Sequence, residues 1–189
     1  GLVGFTACDS FLDEDPKSSL TLDTYYKTSA DIIGNVNYLY RDGAPDKMGN
    51  MTGAYRGSSL SVMNMVTGYF VNEYEGQEVD CSYARQLTRQ DFTQSCCNYL
   101  TNDTWKSCYK SINVANAVIK YVDGVEMDNQ AQYKAEARFF RALNYFYLVK
   151  MFGDVPMVTE PTEDATLVEY PTRTAASEVF NTVIIPDLQ

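Results

Sequence analysis

Apolar positions recur at intervals of three and four through much of this chain. In "DTWKSCYKSINVANAVIKYVDG", Trp105, Cys108, Tyr109, Ile112, Ala115, Ile119 and Val122 keep that spacing. Such spacing sets them along one side of a helix of 3.6 residues per turn. Asn102 or Asp103 can cap its start, and Gly124 follows as a stop. The next segment, "NQAQYKAEARFFRALNYFYLVKMFGD", predicts another helix that ends at Gly153 and Pro156. Its basic residues form a narrow stripe of Lys134, Arg138 and Arg141, while Phe139, Phe140, Leu143, Phe146, Tyr147, Val149 and Phe152 occupy the other faces. A helix apolar on more than one side sits inside a stack of helices.

Weaker patterns extend this picture in both directions. "LDTYYKTSADIIGNVNYLYRDG" predicts a helix capped by Asp23 and stopped by Gly43, with Tyr26, Ala30, Ile33, Val36 and Tyr40 at helical spacing. "AYRGSSLSVMNMVTGYFVNEY" predicts another, with Leu60, Met63, Thr67 and Phe70 on one side, although glycines interrupt it. A last helix begins near Thr174 and runs through Val179, Phe180, Val183 and Ile184. Residues 72–103 show no period and read as a long polar and aromatic connection, the kind of loop that is commonly functional. No strand-rich segment with hairpin turns interrupts the series. The fold class is therefore all-α, helix pairs joined by short turns, which stack as a helical-repeat solenoid. Ala135, Phe139 and Ala142 match the small, aromatic, small pattern of a tetratricopeptide second helix, but Tyr147 stands where that repeat has proline. Ordinary core packing explains the same three residues.

Composition narrows the possible partners. The net charge of −10 repels phosphate backbones, so nucleic acid is not expected. Apolar residues make up 45% of the 189, enough for a sizeable core. No stretch reaches the ~18 to 20 continuous apolar residues of a membrane-spanning helix. Tyrosine is abundant, with 15 copies against one Trp and no His. Its ring is apolar and its tip polar, which suits half-wet grooves. The lack of His and the adjacent Cys96 and Cys97 argue against zinc, and no cofactor is expected. Besides Cys8 there are four cysteines: Cys81, Cys96, Cys97 and Cys108. An exported protein could oxidise them in any of three pairings, and buried thiols are equally compatible with the sequence.

The first residues carry chemistry of their own. Leu2, Val3 and Phe5 are followed by small Thr6 and Ala7, then Cys8, then the acids Asp9, Asp13, Glu14 and Asp15. Residues 1–7 read as the end of a secretory signal. A cysteine directly after its small residues is the lipoprotein-processing pattern, in which the cysteine becomes the acylated first residue of the mature chain; a chance Cys8 after a short apolar stretch fits the same residues. Residues 8–22 then form a polar tether, and residues 23–189 the helical-repeat domain. The chain reads as truncated at both ends.

Four segments together resemble a known family. The "NDTWKSCYKSINVANAVI" segment carries Trp105, Tyr109, Ile112, Asn113 and Asn116. "AEARFFRALNYFYLVKMFGDVPMV" carries Glu136, Arg141, Ala142, Tyr145, Leu148, Gly153, Val155 and Pro156. "YPTRTAASEVFNTVIIPDL" and the opening "CDSFLDEDP" complete the series in order and spacing. The whole is similar to the N-terminal part of SusD-like outer-membrane nutrient-binding lipoproteins, the RagB/SusD family. One departure is Thr172, which separates Pro171 from Arg173.

That resemblance implies a tetratricopeptide-like fold, a lipid anchor on Cys8, an outer-membrane surface location and a binding role without catalysis. It implies a SusC-like TonB-dependent transporter as partner and an oligosaccharide as ligand, with a peptide as the alternative cargo. It also places part of the ligand surface in the connection before the Trp105 helix. Tyr74, Asp80, Tyr83, Arg85 and Tyr99 are the candidates there, because sugar rings stack on aromatic faces and their hydroxyls pair with polar groups. Trp105 lies on an apolar stripe and is assigned to the core. Arg138 and Arg141 share a side of their helix, which suits pairing with a neighbouring helix. Glycoside hydrolysis would need two carboxylates at a set separation, and no motif singles out such a pair. A helical-repeat scaffold that binds only protein is the remaining alternative.

Overall fold

The computed structural model describes residues 21–41, 64–70, 85–92, 95–162 and 171–189. Of Asp23 and residues 95–103 only the backbone is described. Helices dominate: α1 (Leu22–Tyr25), α2 (Ser29–Arg41), α3 (Ser95–Tyr121), α4 (Gln130–Phe152), α5 (Ala176–Val179) and α6 (Ile185–Leu188). The last two are joined through a π-helical turn, Phe180–Ile184, into one continuous helix over residues 176–188. Pro186 lacks an N–H and its ring would crowd the carbonyl one turn earlier, and the wider π-turn accommodates both.

The predicted first helix divides in two. A single turn starts at Thr21 rather than at Asp23, closed by reciprocal bonds between Thr21 and Thr24. The chain then breaks, and Thr28 restarts it. The Thr28 amide and hydroxyl both donate to the Asp31 carboxylate, at 2.8 and 2.7 Å. These bonds, the hydroxyl first, hold the Asp31 carboxyl below its ordinary value. The break turns Tyr26 into the core, where it stacks on Tyr121 at 5.3 Å. It also rotates the buried stripe of α2 to Ile32, Val36 and Leu39, so Ala30 and Tyr40 face solvent instead of the core.

α3 and α4 form a helical hairpin. α3 begins at Ser95, well before the Asn102–Asp103 start that the sequence suggested. Its first two turns are too polar for the apolar period to show there. Val122–Gly124 close it as a 3-10 turn, and Gln130 then reaches back to the Val122 and Val125 carbonyls at 2.7 and 2.8 Å. Small Ala115, Ala117, Ala137 and Ala142 are buried on the two helices. Two apolar clusters flank this hairpin. Near its turn, α2 packs antiparallel to α3 through Ile32, Val36, Leu39, Val118 and Phe140. Towards its open end, the 176–188 helix packs antiparallel to α4 through Val179, Val183, Ile184, Ile112, Leu148 and Val155. The architecture is the all-α helical repeat that the patterning predicts. Of the tetratricopeptide-like triplet, however, only Ala142 is buried; Ala135 and Phe139 are exposed.

Between α4 and the next helix runs a strap, residues 153–162. Gly153 ends α4 at φ 71, a left-handed value that suits glycine, and its N–H caps the Val149 carbonyl at 2.9 Å. Val155 and Pro156 pair antiparallel with Thr174 and Arg173. Asp154 accepts the Ala176 N–H at 2.9 Å, so it caps the following helix from a distance. The hairpin lashes the strap down with side chains. The Tyr109 hydroxyl donates to the Pro156 carbonyl at 2.7 Å. Tyr145 donates to the Val158 carbonyl and accepts the Val158 N–H. Asn116 donates to the Val158 and Glu160 carbonyls, and Asn113 accepts the Thr162 N–H. Beyond its two-residue ladder, the strap has carbonyls and amides satisfied in this way.

One ion pair closes the stack. Arg141 holds the Asp187 carboxylate through two bonds of 2.6 and 2.8 Å, and Arg138 adds a third of 3.0 Å. Only 3% of the Asp187 side chain is exposed. Arg141 also donates to the Asn116 side chain, which ties the ion pair to the strap. The structural role assigned to both arginines is the one they have. Trp105 also packs as assigned, against Tyr109 and Phe152 at 5.0 Å each. Cys108 is a buried thiol and not half of a disulfide.

Two outcomes are expected. Asp187→Ala leaves two guanidiniums facing each other without their carboxylate, and should cost about 3 to 5 kcal/mol in urea denaturation. Arg138→Ala, on the exposed side of the same carboxylate, should cost about 1 kcal/mol or less. Alkaline titration provides the second test. Burial pushes the Tyr26 and Tyr145 phenols up to about 12 from 10.0. Their neutral forms are the folded ones, so their contribution is complete below pH 10 and disappears as pH rises towards 12. Absorbance at 295 nm should show these phenols ionising after the exposed tyrosines, together with loss of helix.

Candidate functional site

Two short turns carry three exposed aromatic rings, among them Tyr69, the most exposed ring of the described residues. The first covers residues 64–70. Helix is present only at residues 64–65, and the chain then turns. Gly68 makes this possible with φ 77. The Thr67 hydroxyl donates to the Asn64 carbonyl at 2.7 Å and accepts the Tyr69 N–H at 3.3 Å. Tyr69 is left 91% exposed and Phe70 53% exposed. Thr67 and Phe70 therefore do not line the inner side of a helix, as the sequence pattern suggested. The glycine breaks that helix before Phe70 can reach the core. Leu60 and Met63, the other two positions of that stripe, lie outside the described residues.

The second turn covers residues 85–92. A helical turn at 85–88 is anchored by Leu87, which is fully buried. Gln90 takes a left-handed φ of 56, and the Asp91 N–H closes on the Gln86 carbonyl at 2.9 Å. Phe92 emerges after it, 52% exposed. The Gln90 side chain donates to the Val66 carbonyl at 3.3 Å and so joins the two turns. Tyr69 and Phe92 stand three and two residues from that bond. A buried anchor on one turn and a hydrogen bond across to the other hold aromatic faces in water. Large apolar rings gain about 1.5 to 3 kcal/mol each when fully covered, so rings kept exposed on fixed turns are available to a flat apolar ligand.

The same surface is polar at its margin. Arg85 is half-buried, and Arg89 one turn later is exposed. The Arg89 N–H bonds the Arg85 carbonyl at 3.1 Å, which puts both on one side of the turn. Gln86 and Asp91 flank them and are partly buried. Such a set of aromatic faces beside planar hydrogen-bonding groups can stack a sugar ring and pair with its hydroxyls.

Of the five ligand residues inferred from the sequence, Arg85 alone has a described side chain. Tyr99 lies on α3, of which only the backbone is described at that position. Tyr74, Asp80 and Tyr83 lie outside the described residues, as does Cys8. The expected long loop of residues 72–103 is in part helical, at 85–88 and from Ser95 onwards. The structure adds Tyr69 and Phe70, which a predicted helix had hidden, and Arg89 and Phe92, which lie in the segment without a period. The one signal for the first pair was the glycine before them.

A second concavity lies between the start of α2 and the α3–α4 turn. It encloses about 580 Å³ and is lined by Ser29, Ile33, Glu126, Met127, Asp128, Asn129 and Tyr133. Tyr133 packs on the core cluster near the hairpin turn, so little of its ring is offered to a ligand. Among the described residues no group of acids, cysteines or histidines could hold a metal ion. No described helix is long and apolar enough to cross a membrane.

Known proteins agree with this architecture. SusD-like protein P25 of Formosa agariphila is 27% identical over 164 residues, which are 82% of this chain and 29% of that protein. SusD-like protein P2 of the same organism is 26% identical over 190 residues, 100% of this chain and 35% of that protein. A crystal structure of a SusD superfamily protein from Parabacteroides distasonis superimposes with a TM-score of 0.61 at 28% identity, over 82% of this chain and 32% of that one. The chain thus spans about a third of the length of these relatives. A SusD-like family model, described as starch-binding and associating with the outer membrane, matches residues 10–189, and the chain belongs to that SusD-like family.

Proposed function

We propose that this helical unit belongs to a glycan-capturing lipoprotein of the outer membrane, which passes its ligand to a SusC-like TonB-dependent transporter. The observation that carries this reading is the family match over residues 10–189, with its starch-binding description. The two aromatic turns support it physically. Tyr69, Phe70 and Phe92 offer exposed rings, and Arg85 and Arg89 offer hydrogen-bond donors beside them. Each sugar contact is weak, so capture at a surface relies on several together. Tyr74, Asp80, Tyr83 and Tyr99 remain ligand candidates by their place in the sequence.

The reading is one of binding, not catalysis. Buried Asp187 and its partner Arg141 are engaged in holding helices together. Anchoring comes from Cys8. A cysteine after small residues and before a run of acids is suited to acylation and export to the surface. One acyl chain binds a membrane only marginally, so a stable anchor needs more than one.

Glycan capture is tested by affinity electrophoresis of the full-length, non-lipidated protein through gels containing a panel of polysaccharides. Retardation by at least one glycan is expected. Tyr69→Ala and Phe92→Ala should each weaken that retardation by about tenfold in Kd while leaving the melting temperature unchanged. Retardation that survives both substitutions would remove the two turns from the site. Anchoring is tested by intact-mass analysis of protein extracted from membranes. Acylation at Cys8 is expected, and an unmodified Cys8 on membrane-bound protein would refute it.

A further inference from the structure

The two aromatic turns contain two arginines, Arg85 and Arg89, against one acid, Asp91. The protein carries −10, with 25 acids against 15 bases. A surface of that sign repels polyanions. Yet the side chain that stands out from the second turn, between buried Leu87 and exposed Phe92, is an arginine. Arg89 is exposed, and its guanidinium has no ion-pair partner among the described residues. Arg138 and Arg141, by contrast, share one buried carboxylate. Lys134 is likewise engaged, with Asp123.

Arg89 is also placed, not merely present. Its backbone is fixed by the bond to Arg85. The next residue, Gln90, is locked in a left-handed conformation with its side chain on the Val66 carbonyl. The Arg89 side chain therefore leaves the backbone one residue before the Gln90–Val66 bond that joins the two turns. A neutral sugar needs ring faces and hydroxyl partners, which aromatic, amide and carboxylate groups provide. A planar, permanently charged fork adds most when the ligand presents a carboxylate or a sulfate.

We propose that the surface formed by Tyr69, Arg89 and Phe92 takes an anionic glycan, a uronate or a sulfated sugar, with Arg89 pairing with its acidic group. This rests on the reading of the protein as a glycan binder and specifies the ligand class for it. Sugar rings stack on Tyr69 and Phe92, and the negative group on the adjoining ring meets Arg89. The pair is solvent-exposed, so salt screens it; at 0.1 M ionic strength the screening length is about 10 Å.

The test uses the full-length, non-lipidated protein in affinity gels with four probes: amylose, a neutral β-glucan, polygalacturonate and chondroitin sulfate. The expected result is preferential retardation by an anionic probe, which weakens as salt rises. Polygalacturonate and chondroitin sulfate distinguish a carboxylate ligand from a sulfate one. Arg89→Gln should weaken the anionic interaction about tenfold with an unchanged melting temperature, and Arg89→Lys should retain more of it. Retardation by the neutral glycans alone would overturn this inference and leave glycan capture standing. Anionic binding indifferent to Arg89→Gln would also overturn it. No retardation by any of the four would count against this inference and against the glycan reading together.

Discussion

A single carboxylate fixes how the last helix docks on the α3–α4 hairpin. Asp187 sits almost fully out of water, at the end of the last helix, between two guanidiniums from α4. A buried carboxylate without partners would be far too costly to keep charged. Arg141 meets it with two bonds, Arg138 with a third. The consequence is geometric. The 176–188 helix can approach α4 in one register only, the one that brings Asp187 beside Arg138 and Arg141. That register then buries Val179, Val183 and Ile184 against the hairpin.

Arg141 extends this constraint into the connection between the helices. It shares Asn116 with the strap, and Asn116 in turn satisfies two strap carbonyls. Tyr109 and Tyr145 satisfy others. Asp154 leaves the strap to cap the helix that carries Asp187. Tyr109, Asn113, Asn116, Arg141 and Tyr145, all from the family motifs, thus belong to one polar lattice, and their work is structural. The lattice is needed because the strap is extended and pairs with only two residues of another strand.

Binding chemistry is located elsewhere, on turns. Residues 64–70 and 85–92 lie outside the lattice and are joined to each other by a side-chain bond to a carbonyl. Turns are free to vary while the helix stack is preserved, which is how one scaffold can present different ligand surfaces. Tyr69, Phe92 and Arg89 fit that division. None has a part in the two apolar clusters, and each is exposed.

How much of this could be read from the sequence depends on the type of interaction. The period of three and four specified α3, α4 and the 176–188 helix, because each buries one stripe and the alternation is written residue by residue. The ordered motifs around Trp105, Arg141 and Gly153 specified the family. The start of α3 was not legible, since its first turns lack an apolar stripe, and α2 was misjudged because the Thr28–Asp31 cap breaks the helix and rotates its face. Arg138 and Arg141 could be recognised as a pair on one side of a helix, but nothing along the chain named Asp187 as their partner 46 or more residues away. The aromatic surface was hidden for the same reason. Whether Phe70 or Phe92 is core or platform depends on the turn geometry at Gly68 and Gln90 and on contacts distant in sequence. Local pattern determines which segments are helical and which faces are apolar. Only the packed structure decides which polar groups are consumed in holding helices together and which rings remain in water for a ligand.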